Sequence, residues 1–542
     1  MKHISSIYKI VFVTVLSFVF ADVALAQSEY QPYNYQFYQK LNTDNYSTKT
    51  REHTALKPAF VDDSLLKHHY DSLMNYGSDG KEHSLLYRKL FNEHLIDYRS
   101  TNSTFYTDLL PDFAIGRDFS GKLTTSTTSI GLQLGGTISD KFYYNVSGYL
   151  SSAVVPDYLS TYINQVAVVP GQAYAKIYRN NGYDWSYITA VISYTPIKYL
   201  NISVGRDKTF IGDGYRSMLL SDYASPYPFI KLTGTLGNVR YMAMWTDMND
   251  PAFTSQYGVS RQKFGVFHYL DWNANNRLSF GFFDNIMGYF TDDNGTKRPF
   301  DFNYINPVIF LKPVNNSSDD PDKSLLGFTG KYKVSNGITV YGQFALNEFV
   351  AKQFFSNSGS YVNKYGWQLG IRGANLFGIK NLNYLLENNN ARPYTYSARS
   401  AIENYSENSE PLAHPWGANF RELVGLLNYT YKRFDFSGEV DYGHYGLDEN
   451  GLNYGKDVFQ VYTDAVKQYG NYIGQGLSTN MYYLEGKVAY MLNPKYNLRI
   501  ELGGIYRQEK NVQFTDRTTM LTIGLRSSFR QVYNDLASYK TH

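Results

Sequence analysis

The chain has 542 residues, no cysteine, and 51 basic against 48 acidic side chains, for a net charge of +3. These totals exclude disulfides, thiol catalysis, cysteine metal sites and a lipid-modified cysteine, and the balanced charge gives no footing for a nucleic-acid partner. The 53 Tyr and 34 Phe beside a mean hydropathy of −0.40 are unusual for a soluble domain; they suit a barrel wall that is apolar outside, polar inside and ringed by aromatics at both interfaces.

Residues 1–26 read as a secretory signal peptide. Lys2 and Lys9 form a positive start, Ile10 to Phe20 an apolar run too short to cross a bilayer, and Ala24-Leu25-Ala26 a cleavage site that makes Gln27 the expected mature N-terminus. No later stretch reaches about 18 consecutive apolar residues, so no helical membrane span is expected. Residues 27–111 read as a periplasmic segment, polar and Tyr/Asn-rich to about Lys57, then helical from Ser64 to Tyr98 with a break at Gly77-Ser78-Asp79-Gly80. Leu85, Leu86, Leu90, Phe91, Leu95 and Ile96 keep helix spacing, which predicts a short amphipathic hairpin or, in a sharper form, a cap or plug packed on a barrel.

From Asp112 to Phe529 the period changes to two. Leu521, Ile523, Leu525 and Phe529 alternate with Thr522, Gly524, Arg526 and Ser528; Leu498, Ile500 and Leu502 alternate with Arg499 and Glu501; Phe436, Val440 and Tyr442 alternate with Ser437, Glu439 and Asp441. The strands predicted are 112–119, 127–137, 141–151, 185–195, 198–206, 229–236, 238–247, 263–272, 276–284, 325–334, 337–346, 365–373, 381–389, 421–431, 433–442, 480–491, 495–505 and 517–529. Alternation alone fits a sandwich or a barrel. The connections decide: tight turns such as Ser139-Asp140, Pro196-Ile197 and Asn493-Pro494 alternate with long loops such as 152–184, 207–228, 285–324, 390–420 and 443–479. Short periplasmic turns and long external loops are the asymmetry of an all-β, antiparallel transmembrane outer-membrane barrel, here of about 18 strands. Lipid tolerates a sheet only if no edge is open. A barrel of that size holds a channel or folded-in loops, and loops 285–324 and 390–420 have enough chain to fill it. Residues 530–542 read as a C-terminal periplasmic tail.

No enzyme constellation stands out. His68, His69 and His83 suit surface helix positions, and there is no H-E-x-x-H, G-x-S-x-G or P-loop. No catalytic residue, metal site or cofactor is expected. The densest cluster runs from Gly205 to Asp222, followed by Pro226-Tyr227-Pro228, on an external loop. Gly212 and Gly214 allow a tight turn and close backbone approach. Arg206, Asp207, Arg216 and Asp222 could form fixed donor and acceptor pairs, with ring faces from Tyr215, Tyr223 and Tyr227. Two readings follow: a loop folded into the lumen and held by its own charges, or a polyol site in which carboxylate and guanidinium groups meet hydroxyls and a Tyr stacks on a sugar ring.

The stretch Phe210-Ile211-Gly212-Asp213-Gly214-Tyr215-Arg216-Ser217-Met218-Leu219-Leu220-Ser221-Asp222, with Ala224 and Pro228, resembles the core motif of the Wzi capsule-assembly family. It is most similar to the branch that includes the gliding-motility protein RemB. Lys89 to Leu95, Asn306 to Phe310 and His414 to Glu422 resemble the same branch, so the likeness covers most of the mature chain. It implies an 18-stranded barrel with a periplasmic helical element and a loop-blocked lumen. It also implies a non-catalytic protein that binds surface polysaccharide and assists capsule or exopolysaccharide assembly or retention. The chain departs from the enterobacterial pattern at Phe210, Tyr215 and Arg216, where that branch favours tryptophans and an acidic residue. A gliding or adhesion component and a diffusion channel or transporter are the alternatives. The partners implied are outer-membrane lipid, surface polysaccharide and other outer-membrane assembly or motility proteins.

Overall fold

The computed structural model describes residues 29–30 and 33–539, apart from the internal stretches 62–63, 78–81, 179–180, 251–260, 292–295, 299–300, 312–322, 349–350, 357, 528 and 530–531. The signal sequence with its cleavage site, and the helix break at Ser78-Asp79-Gly80, lie outside the described residues.

Eighteen antiparallel strands close into a barrel. They are β1 (Ser103–Asp118), β2 (Leu123–Ile138), β3 (Phe142–Val154), β4 (Gly182–Ile197), β5 (Leu200–Asp207), β6 (Tyr227–Leu236), β7 (Val239–Asp250), β8 (Arg261–Asn273) and β9 (Leu278–Tyr289). Then follow β10 (Lys323–Ser335), β11 (Ile338–Glu348), β12 (Lys364–Gly373), β13 (Leu382–Ala391), β14 (Phe420–Tyr431), β15 (Phe434–Leu447), β16 (Leu477–Asn493), β17 (Leu498–Lys510) and β18 (Thr515–Arg526). The seam is the pairing of β18 with β1, from Met520↔Asp118 to Leu525↔Phe113. At one end every connection is short, as at 139–141, 237–238 and 432–433. At the other end 155–181, 208–226, 290–322, 392–419 and 448–476 are long.

From β2 onward each strand lies within about five residues of its predicted bounds. The first begins at Ser103 rather than 112, because Pro111 sits inside it opposite Ile130. Proline cannot donate to a ladder and so reads as a strand limit. Here it falls in the gap of the seam, where β18 has ended and only the Ser527 hydroxyl reaches the Pro111 carbonyl, at 2.6 Å. Below that gap Ile96–Arg99 pairs with Thr104–Thr107. The helix expected to run to Tyr98 therefore ends earlier: helices occupy Ser64–Met74 and Leu85–Phe91, and the chain then turns into a strand that extends the sheet.

The alternation sorts side chains as lipid and lumen demand. Leu521 and Ile523 are 55% and 53% exposed on the outer wall, while Asp441, Arg499 and Glu501 are buried inside. Aromatic pairs flank the apolar band at both ends. Phe142 stacks on Tyr194 at 4.4 Å near the short turns, and Tyr442 meets Tyr482 at 5.1 Å near the long loops. These are the girdles expected at membrane interfaces.

The lumen is filled. Residues 33–61 thread into it from the short-turn end, and Leu56–Lys57 pairs there with Phe210–Ile211 of the descending 208–226 loop. Loop 392–419 packs against the same body, with Tyr396, Tyr405 and Trp416 fully buried. Residues 532–539, expected as a periplasmic tail, instead lie inside: Leu536, Ala537 and Tyr539 are buried, and Arg507 donates to the Leu536 carbonyl at 3.1 Å. Loop 290–322 behaves differently from the expectation that it fills the lumen, because residues 301–311 lie on the outer wall over β7, β8 and β9. Phe267 and Phe283 belong to the lumen core, so their neighbours His268 and Asp284 face outward. The strap covers that pair. Phe310 N donates to Asp284 at 2.9 Å, His268 meets Asp284 at 2.8 Å, and Trp245 donates to the Tyr304 carbonyl at 2.8 Å.

Candidate functional site

The 208–226 loop leaves β5, runs down into the lumen and returns to β6. Gly212 has φ +141°, and a Cβ there would stand 2.0 Å from the Gln343 amide nitrogen. That conformation frees its N–H for the Ala55 carbonyl at 2.7 Å and its carbonyl for Lys57 Nζ at 2.6 Å. At Gly214 the constraint is approach: a Cβ would meet the Glu387 carboxylate at 2.1 Å. Glu387 instead receives the N–H groups of Tyr215 and Arg216 at 3.0 and 3.1 Å. Asp213 ties the turn to the N-terminal segment, accepting from the Tyr46 hydroxyl at 2.9 Å and from Thr54.

Arg216 is the hub. Its Nε and Nη2 donate to Glu422 Oε1 of β14 at 3.0 and 2.9 Å. Nη2 also lies 2.7 Å from Asp535 and 3.7 Å from Asp441 of β15. Glu422 Oε2 accepts from His414 Nε2 at 2.8 Å, and His414 Nδ1 accepts from Trp416 N–H at 3.1 Å. Burial, outweighing the attraction of Glu422, holds the His414 imidazole down to about 4, so it is neutral with its proton on Nε2. Trp416 Nε1 donates to the Asp535 carbonyl at 3.0 Å. One guanidinium thus joins the 208–226 loop, two wall strands, the 392–419 loop and the 532–539 segment. A buried charge so placed needs all of its partners, and breaking such a pair costs about 3–5 kcal/mol.

The residues singled out from sequence do not converge on one open site. Tyr215 gives its hydroxyl to Asp535 at 3.0 Å, carries the Arg216 guanidinium 4.7 Å over its ring and meets Tyr35 at 4.9 Å. Tyr227 is in the lumen core, its hydroxyl accepting from Thr209 N–H at 3.3 Å. Asp222 bonds Tyr533 through its side chain and Lys208 through its carbonyl, the latter at 2.9 Å. Tyr223 shares a 2.6 Å hydroxyl contact with Tyr162. Asp207 is buried at the end of β5. Arg206 is exposed on the outer face, beside Val204, and does not join the others. Sequence reasoning missed Glu387 and Asp535. Glu387 lay on an inward strand position, and nothing in the tail's composition marked Asp535. Among the described residues no group of three or more His, Asp or Glu is arranged to hold a metal.

The other motifs behave as joints too. In the N-terminal stretch, the Lys89 and Glu93 carbonyls accept from Asn493 at 3.0 and 2.9 Å, and His94 meets Asp108 at 2.6 Å. Asn306 to Phe310 is the part of the outer strap that reaches Asp284. Each stretch that carried the resemblance fastens a non-barrel segment to the wall.

No family model matches the chain, and no curated protein matches it. Among solved structures it is similar to Wzi of Escherichia coli, an outer-membrane protein involved in group 1 capsule assembly and described as a carbohydrate-binding β-barrel. The two are 13% identical, with a TM-score of 0.53 over 91% of this chain and 99% of that one. OprD of Pseudomonas aeruginosa is 8% identical, with a TM-score of 0.43 over 80% of this chain and 98% of that one. OccAB2 of Acinetobacter baumannii is 10% identical, with a TM-score of 0.42 over 78% and 97%. The likeness to Wzi is one of fold, and it makes this chain a Wzi-like barrel of the outer-membrane type.

Proposed function

We propose that this protein is a non-catalytic outer-membrane barrel, exported by a cleavable signal, that binds polysaccharide on its long-loop face and helps assemble or retain a capsule or exopolysaccharide. The observation that carries the reading is the filled lumen. Loops pinned from within form a fixed external surface rather than the mouth of a pore. On that surface Tyr469 and Tyr472 are 54% and 61% exposed. Their loop is fastened to its neighbour by Gly470 N to the Ser358 carbonyl and Asn471 N to the Gly359 carbonyl, both 2.8 Å. Rigid exposed tyrosines suit the apolar faces of sugar rings. The carbohydrate binding attributed to Wzi supports the same reading.

The test is surface polysaccharide in cells lacking the chain, complemented with wild type or with Tyr469→Ala/Tyr472→Ala. Loss of cell-bound polysaccharide in the null strain, with partial rescue by a fully folded double variant, is expected. Unchanged retention in the null strain would overturn the proposal.

A further inference from the structure

A polar groove runs inside the barrel between the β13–β17 wall and the N-terminal segment. Its inner part ends at Tyr215 and Asp535. Its outer part reaches Lys40, Asp435 and Arg499 near the short turns, and the two parts share Asn34, Gln36, Asn428, Ser437 and Lys487. The groove is blind inward, where the Arg216 cluster stops it, and opens toward the short-turn end.

Its wall has an unusual pairing. Glu439 of β15 and Glu485 of β16 are direct cross-strand partners, both facing the lumen. Like charges directly opposite are destabilising. Glu485 gives one oxygen to Lys487 at 2.6 Å, and its side chain is only 10% exposed. Glu439 shares a hydrogen bond with Asp535, but its Oε1, the other oxygen of Glu485 and the Tyr35 hydroxyl across the groove are buried with no hydrogen-bond partner. Buried polar groups are normally satisfied, so unmet acceptors lining a cavity call for a donor.

We infer that this groove is a binding site for the end of a neutral saccharide, taken up from the short-turn side. The chemistry narrows the ligand. Acids and bases both line the groove, Glu439, Glu485 and Asp435 beside Lys40, Lys208 and Lys487, so no single charge selects the ligand, and the open acceptor oxygens take hydrogen bonds from vicinal hydroxyls. A metal ion lacks a set of three His, Asp or Glu ligands among the described residues. The amides of Asn34, Gln36 and Asn428 add mixed donors and acceptors, and the rings of Tyr35 and Tyr533 add flat faces. The site is on the opposite mouth from the external tyrosines and stands whether or not they hold polysaccharide.

The experiment uses the full-length barrel in a zwitterionic detergent without a sugar headgroup. Saturation-transfer NMR is recorded with glucose, galactose, mannose, N-acetylglucosamine and their disaccharides, and with glucosamine as a cationic control. Saturable binding of at least one neutral sugar is expected. Glu439→Gln, which replaces a carboxyl oxygen by an amide NH2, should weaken it up to about tenfold, the upper worth of one hydrogen bond. Ser437→Trp, in the stretch that the two parts of the groove share, should abolish it in protein whose heat-modifiable folded band is intact. No saturable signal from any neutral sugar, binding of glucosamine alone, or affinity unchanged in both variants would each overturn the proposal.

Discussion

Arg216 and Asp535 meet at 2.7 Å in the middle of the lumen, one on a loop between β5 and β6, the other beyond the last strand. Arg216→Ala removes the shared partner of Glu422, Asp441 and Asp535, and strands buried carboxylates. It should destabilise the folded protein by about 3–5 kcal/mol. Asp535→Asn leaves Glu422 in place and should cost less. Thermal midpoints of the heat-modifiable band, with limited proteolysis of residues 532–539, check both, and equal effects would contradict the hub arrangement.

The wall assignment predicts an asymmetry on one strand. Ile523→Arg places a charge on the lipid face and should cost about 2–4 kcal/mol near the bilayer centre. Thr522→Arg, on the lumen side, should assemble far better. The folded fraction in outer membranes separates the two, and equal loss would reverse the facing of β18.

A filled lumen should conduct poorly. Purified protein in planar bilayers is expected to show no large steady conductance, because Trp416, Tyr396 and Tyr405 pack where an open barrel would hold water. Stable open steps would favour a channel.

His414 gives the plug a pH dependence of defined sign. Its imidazole titrates near 4 in the folded protein against 6.5 when free. A base whose folded value is depressed lends full stability above the free value and loses it as pH falls toward the folded one. Stability should drop between about pH 6.5 and 4, by on the order of 3 kcal/mol. His414→Gln should flatten that limb of the melting-against-pH curve; an unchanged slope would assign the dependence elsewhere.

Gly212→Ala should destabilise by about 1–3 kcal/mol, since the loop holds φ +141° there and the new methyl meets Gln343. Gly438→Ala on the wall, with nothing within 4 Å of a Cβ, should be near neutral. Equal melting shifts would remove the turn from the account.

The barrel was legible because a closed sheet between lipid and a polar interior writes its period into nearly every strand. Arg499 and Glu501 were placed inside by that rule alone. The same rule applied to β5 turns Arg206 outward, since Ser203 and Asp207 face in. The plug was less legible. Its segments are irregular, and single pairs such as Arg216–Glu422 hold them across 206 residues, a separation that leaves no local pattern. Nothing in the sequence shows that Arg216 covers the Tyr215 ring. An external loop can fold to either side of the wall, and for 301–311 only the outward His268–Asp284 pair favours one.

The position of residues 532–539 separates shutting the cylinder from fastening its contents. Hydrogen bonds between β18 and β1 complete the wall, yet the Tyr215 hydroxyl finds its acceptor only at a residue 320 positions later. Contacts so remote in sequence form slowly. The seam joins residues 402 positions apart, as at Met520↔Asp118, and the Tyr215–Asp535 pair residues 320 apart, so closing the wall and fastening the plug both depend on the C-terminal end of the chain.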